Sequence, residues 1–112
     1  MADTAQAVLA IVKAGVEPAY TGSLDTANTY QTPNDGKTFI HVKNGGGSPD
    51  TVTIETVSVI DGLALADRTV SVPAGEERMI GPFQKDIYND GNGLLNYTHS
   101  FITSVTQAAF SL

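Results

Sequence analysis

Apolar and polar residues alternate in short runs along most of this chain, and turn-forming residues interrupt them at intervals of about eight to fifteen positions. From Thr38 to Lys43, Phe39 and His41 fall on one face and Ile40 and Val42 on the other. Thr51 to Val57 repeats the pattern, with Val52 and Ile54 opposed to Thr53 and Glu55. The loop Asn44–Asp50 between these two runs predicts a hairpin, the best defined in the chain. Val57 to Ile60 is apolar and extends the second strand as far as the Asp61-Gly62 turn, and Leu63 to Ala66 reads as a linker. Arg68 to Val72 is a further strand, with Val70 and Val72 sharing a face. Pro73-Ala74-Gly75 turns the chain, Glu77 to Ile80 returns, and Gly81-Pro82 stops it. After the Asn89–Gly93 turn, Leu95, Tyr97, His99 and Phe101 alternate with Thr98 and Ser100. A last strand from Val105 carries Ala108, Phe110 and Leu112.

The amino-terminal third is less regular. Asp3 or Thr4 is placed to cap a helix over Ala5–Ala14, with Gly15 to close it. Val8, Ile11, Val12 and Val16 are β-branched, however, and Pro18 soon follows, so an extended segment or strand is the reading. Ala19 to Pro33 is polar and turn-rich, with a short strand around Ala27 to Tyr30. Asn34-Asp35-Gly36 is a strong turn. The pattern as a whole predicts an all-β chain: a single antiparallel β-sandwich, jelly-roll-like. Residues 1–16 form an N-terminal arm or first strand and residues 17–112 the sandwich, one domain overall.

Composition narrows the function classes. A chain of 112 residues, 41% hydrophobic, has the size of one core. Its net charge of −6 disfavours nucleic acid, whose phosphates reward clustered Lys and Arg. The absence of cysteine removes disulfides and thiolate chemistry. Ala7 to Val12, the longest apolar run, is too short to span a bilayer, and no basic leader precedes it, so no membrane partner and no export are expected.

No residues stand out as chemistry. His41 and His99 each sit in an alternating run, which makes them rim or interface residues rather than a base or ligand. There is no G-x-S-x-G elbow. Asn89-Asp90-Gly91-Asn92-Gly93, with Asp86 nearby, lacks the distal Glu of a calcium loop and reads as a turn rich in residues that tolerate positive φ. Gly45-Gly46-Gly47 lacks the Lys-Ser/Thr of a phosphate loop and reads as a flexible loop able to touch a partner. Glu76-Glu77-Arg78 is a solvated strand start. No catalytic residue, cofactor or metal is assigned, and an enzyme is not expected.

Three stretches carry a resemblance: G-K-T-F-I-H-V-K-N-G-G-G-S from Gly36, D-G-L-A-L-A-D-R-T-V-S-V-P-A-G-E-E-R-M-I-G-P-F from Asp61, and the terminal T-S-V-T-Q-A-A-F-S-L. Together with Ile87-Tyr88-Asn89 they resemble the small capsid decoration (cement) proteins of tailed bacteriophages, over about two-thirds of the chain from Thr38 to Leu112. The resemblance implies a virion structural protein, made in the host cytoplasm and bound to the outer capsid surface. There it would stabilise contacts between subunits of the major capsid protein, as a homo-oligomer. The family motif brings no catalytic residue. Contacts are expected from the ends and loops: Val8, Leu9, Ile11 and Val12 of the arm, whose apolar residues exceed what a free tail exposes comfortably, and Gly45, Gly46 and Gly47. The alternative is a head-completion or tail component, a stopper or terminator at the phage neck.

Overall fold

The computed structural model describes residues 3–57, 59–64 and 66–112. Met1 and Ala2 of the arm, Ser58 of the expected strand extension and Leu65 of the expected linker lie outside them. The strands are β1 (Asp3–Ala5), β2 (Val8–Ala10), β3 (Thr29–Pro33), β4 (Thr38–Asn44), β5 (Asp50–Ile54), β6 (Val59–Ile60), β7 (Leu63–Ala64), β8 (Arg68–Val72), β9 (Glu77–Ile80), β10 (Leu94–His99) and β11 (Val105–Ser111), with one helical turn, α1 (Lys85–Tyr88), before β10.

Two sheets pack face to face, in the orders β1-β3-β10-β5-β8 and β2-β11-β4-β9, and β6 and β7 form a separate small hairpin. The chain changes sheet at every step from β1 to β5 and again from β8 to β11, which is the wrapped, jelly-roll-like course expected. Ile40, Val42, Val52, Ile54, Val72, Leu95 and Tyr97, with no exposed surface, fill the space between the sheets together with Phe83. These are the apolar positions of the alternating runs, so the period-2 pattern marks the core face of β4, β5, β8 and β10.

Three expectations need correction. The sheets are not wholly antiparallel, because β1 pairs parallel with β3 and β2 parallel with β11. The arm is therefore extended, as expected, and lays one short strand on the edge of each sheet. Second, β4 and β5 are not a hairpin: β4 pairs with β11 and β9, β5 with β10 and β8. The same is true of β8 and β9. Alternation shows which face is buried but not which strand lies alongside, and both loops carry the chain across the sandwich as arches. Third, Val59 and Ile60 do not continue β5; they pair with Ala64 and Leu63 around Asp61 and Gly62, both at positive φ (52° and 78°). In β11, Ala108 and Phe110 face out of the sandwich, since their partners in β4 are His41 and Phe39, while Val105, Gln107 and Ala109 face in. Both faces of β11 are buried, because Tyr20 folds back over the outer one, its ring 6.2 Å from Phe110 and 5.4 Å from His41.

Candidate functional site

Four polar residues of the interior form one connected chain. Asp50 and His99 have fully buried side chains, and Gln107 is fully buried too. Asp50 Oδ1 accepts the backbone N–H groups of Ser100 and Phe101, and Asp50 Oδ2 lies 2.6 Å from His99 Nδ1. His99 Nε2 is 2.7 Å from Gln107 Oε1, and Gln107 Nε2 donates to Gln6 Oε1 at 2.9 Å. Both nitrogens of His99 thus face oxygens. His99 stands on one sheet and Gln107 on the other, so the chain crosses the sandwich. It ends on Gln6, where the arm passes from β1 to β2 and where Gln6 N–H donates to Gln31 O. Tyr30 and Tyr97 enclose the imidazole edge-on at 5.7 and 5.9 Å. His99 is therefore interior, not rim, and the group is closed to substrate.

His41 is also buried, 5% exposed, beneath Tyr20. Its Nδ1 accepts the Tyr20 hydroxyl at 2.7 Å and its Nε2 donates to Glu77 Oε1 at 2.9 Å, while Lys43 Nζ sits 4.2 Å above the Tyr20 ring. That cluster holds the 17–22 segment against the outer face of its sheet.

Two buried asparagines pin the turns at opposite ends of the sandwich. Asn44 Nδ2 donates to Ser48 O and Val72 O, its Oδ1 accepts Gly46 N–H, and its backbone O accepts Gly75 N–H. The glycine loop and the Pro73–Gly75 turn are thereby docked on each other. Asn34 Nδ2 donates to Phe83 O and Asn89 Oδ1, and Asn89 Nδ2 returns to Asn34 O. Asp90 is committed in the same way: the side-chain amide of Asn96, then the Asn92 and Leu94 amides, hold its carboxyl below the ordinary aspartate value. It caps a turn. Among the described residues, no group of three or more His, Cys, Asp or Glu is placed to share a metal ion.

The expected contact residues divide into two groups. Val8 and Leu9, half-buried in β2, lie alongside Ala109 and Phe110. Ile11 and Val12 follow on an exposed loop, 45% and 52% exposed, with Val16 at 38%. That loop leaves the end of β11 marked by Ser111, whose carbonyl accepts Ile11 N–H. Gly45, Gly46 and Gly47 sit at the other end, where Gly45 N–H donates to Ser104 O. Seven residues of β11 separate the two, about 20 Å of strand, so the structure does not bring them together. Gly46 is also not a flexible position, because a Cβ there would lie 2.4 Å from Thr103 O and 2.6 Å from Phe101 Cε2. Gly47 is exposed and unconfined. No family model, no characterised protein and no solved structure matches the chain.

Sequence reasoning passed over Asp50, Gln107 and Gln6. Asp50 ends a turn-rich loop and Gln107 interrupts an apolar run; only the parity of β11 puts Gln107 inside.

Tyr97 gives a prediction about pH. Burial, then the neighbouring Tyr30, pushes its hydroxyl well above the ordinary tyrosine value. A folded-state pKa above the unfolded one gives stability that is complete below the unfolded value and is lost as pH rises beyond it. The protein should therefore lose stability above about pH 10. Its hydroxyl has no hydrogen-bond partner among the described residues. Tyr97→Phe should thus equal or exceed the parent at pH 7, by up to about 1 kcal/mol, and flatten the alkaline decline in urea unfolding curves.

Proposed function

We propose that this chain is a virion structural protein that decorates the outer surface of a tailed-phage capsid. In this reading it is made in the host cytoplasm and assembles as a symmetric homo-oligomer. It bridges neighbouring subunits of the major capsid protein, with no catalytic, nucleic-acid-binding or membrane role. The observation that carries the reading is a division of labour. Both histidines are buried against partners of their own chain, while Ile11, Val12 and Val16 stand exposed on one loop. A loop of that kind suits attachment, since exposed aliphatic clusters mark contact surfaces. Many modest contacts repeated by symmetry then resist the outward pressure of packaged DNA. The motif resemblance names the particle.

Copy number tests this reading. Quantitative mass spectrometry of purified particles should find hundreds of copies per capsid. A ring-like count of about six or twelve would overturn it in favour of a stopper or terminator at the neck.

A further inference from the structure

Both sheets are open on the same side of the sandwich: β8 ends one strand order and β9 the other. The mouth between them holds a cavity of about 520 Å³ lined by Arg68, Val70, Arg78, Ile80, Phe83 and Tyr88. These two arginines are the only ones in the chain. Register places both on the inner faces of the edge strands, since Arg68 pairs with Ile54 and Arg78 with Val42. The guanidiniums therefore flank the mouth from opposite sheets above an apolar floor. Arg68 Nε donates to Tyr88 Oη, while Arg78 pairs with Glu76 at 2.9 Å and its Nη1 donates to the outward Glu77 carbonyl at 2.8 Å, both solvent-exposed contacts of the kind readily exchanged.

The backbone at this mouth points the same way. Asn44 N–H donates to Glu76 O, which sets the alternation along β9: Arg78 and Ile80 turn their backbone groups to β4, and Glu77 and Met79 turn theirs outward. On the other face of β9 lies a second hollow, about 340 Å³, lined by Phe39, Met79, Pro82 and Leu112. Met79 and Leu112 are 69% and 72% exposed. A strand laid along β9 would drop alternate side chains into the arginine-flanked cavity and the apolar hollow.

We infer that the open edge of β9 is a docking site for an extended acidic peptide of a partner protein, added as a further strand of the sheet. Its carboxylates enter between Arg68 and Arg78, and its apolar residues cover Met79 and Leu112. Strand addition supplies affinity through main-chain hydrogen bonds and specificity through alternate side chains, and guanidinium forks match carboxylates bidentately. The inference stands apart from the capsid reading, because the site is built from this chain's own edge.

The test is a titration of the isotope-labelled protein with a seven-residue peptide alternating valine and glutamate, read by amide chemical shifts. Shifts should concentrate on Glu77–Gly81 and on β8. A peptide with lysine for glutamate should bind at least about tenfold more weakly, one lost charged pair's worth. The double variant Arg68→Gln/Arg78→Gln should lose the preference for glutamate. Met79→Pro, which removes an outward N–H from an edge strand, should abolish binding with both arginines intact. The spectra themselves report whether each variant is folded. No shifts at millimolar peptide, equal binding of the lysine peptide, or shifts on β1 and β2 instead would each overturn the proposal.

Discussion

Replacing Asp50 with alanine is expected to lower the free energy of unfolding by about 2–4 kcal/mol, because it takes a fully buried acceptor from the hydrogen-bond partners around it. The substitution removes the oxygen facing His99 Nδ1, in a site without solvent contact, and the acceptor for two partly buried backbone amides. Ser100 N–H keeps a second acceptor in Thr51 O at 3.1 Å, but Gln107 already serves His99 Nε2 and Gln6 and does not replace the oxygen at Nδ1. Asp50→Asn separates the two losses. Its Oδ1 can still accept the Ser100 and Phe101 amides, so it should cost less than the alanine. Urea unfolding of the three proteins at pH 7 measures both. A loss below about 1 kcal/mol for Asp50→Ala, typical of a surface change, would mean that the interior chain does not hold the sheets.

Gly81→Ala should cost about 2–6 kcal/mol, from two separate sources. Gly81 has φ +134°, outside the range L-residues adopt readily, a strain of about 1–3 kcal/mol. An added Cβ would also stand 2.8 Å from Phe39 Cβ, 2.9 Å from Phe39 Cα and 3.1 Å from Thr38 O. Those atoms belong to β4, held between β11 and β9, so the neighbour cannot yield cheaply, and overlap adds about 1–3 kcal/mol. Gly75→Ala is the control. Gly75 has φ +76° but no heavy atom within 4 Å of an added Cβ, so only the smaller cost of a left-handed residue, about 1–2 kcal/mol, applies. Thermal unfolding of the two variants side by side checks the ranking. Equal losses would contradict the packing argument.

Much of the fold was legible in the sequence where turn residues bracket an alternating run. The bounds of β8 and β9 coincide with Arg68–Val72 and Glu77–Ile80 because Pro73-Ala74-Gly75 and Gly81-Pro82 are backbone devices with local causes. Partner choice was not legible. It depends on Asn44, which docks the glycine loop on Val72 and Gly75, and a single asparagine in a loop carries no mark of that long-range role. The inner face of β11 was not legible because Tyr20, from the far end of the chain, covers Phe110 from outside, so that both faces are buried. The helical turn α1 has four residues, too few for a 3.6-residue period to register. Of the expected contact residues, the apolar excess of the arm was readable, but half of it, Val8 and Leu9, is spent on the chain's own sheet edge. Ile11 and Val12 remain available.

The capsid role is tested most directly by comparing particles assembled with and without this protein for DNA retention during heating and after chelator treatment. The account predicts that particles lacking it release DNA at a lower temperature. It also predicts that adding the purified protein restores the parent value, and that a variant carrying Ile11→Ser and Val12→Ser does not. Particles that resist heat and chelator equally well without the protein would contradict the cementing role, even if the protein were found bound to them.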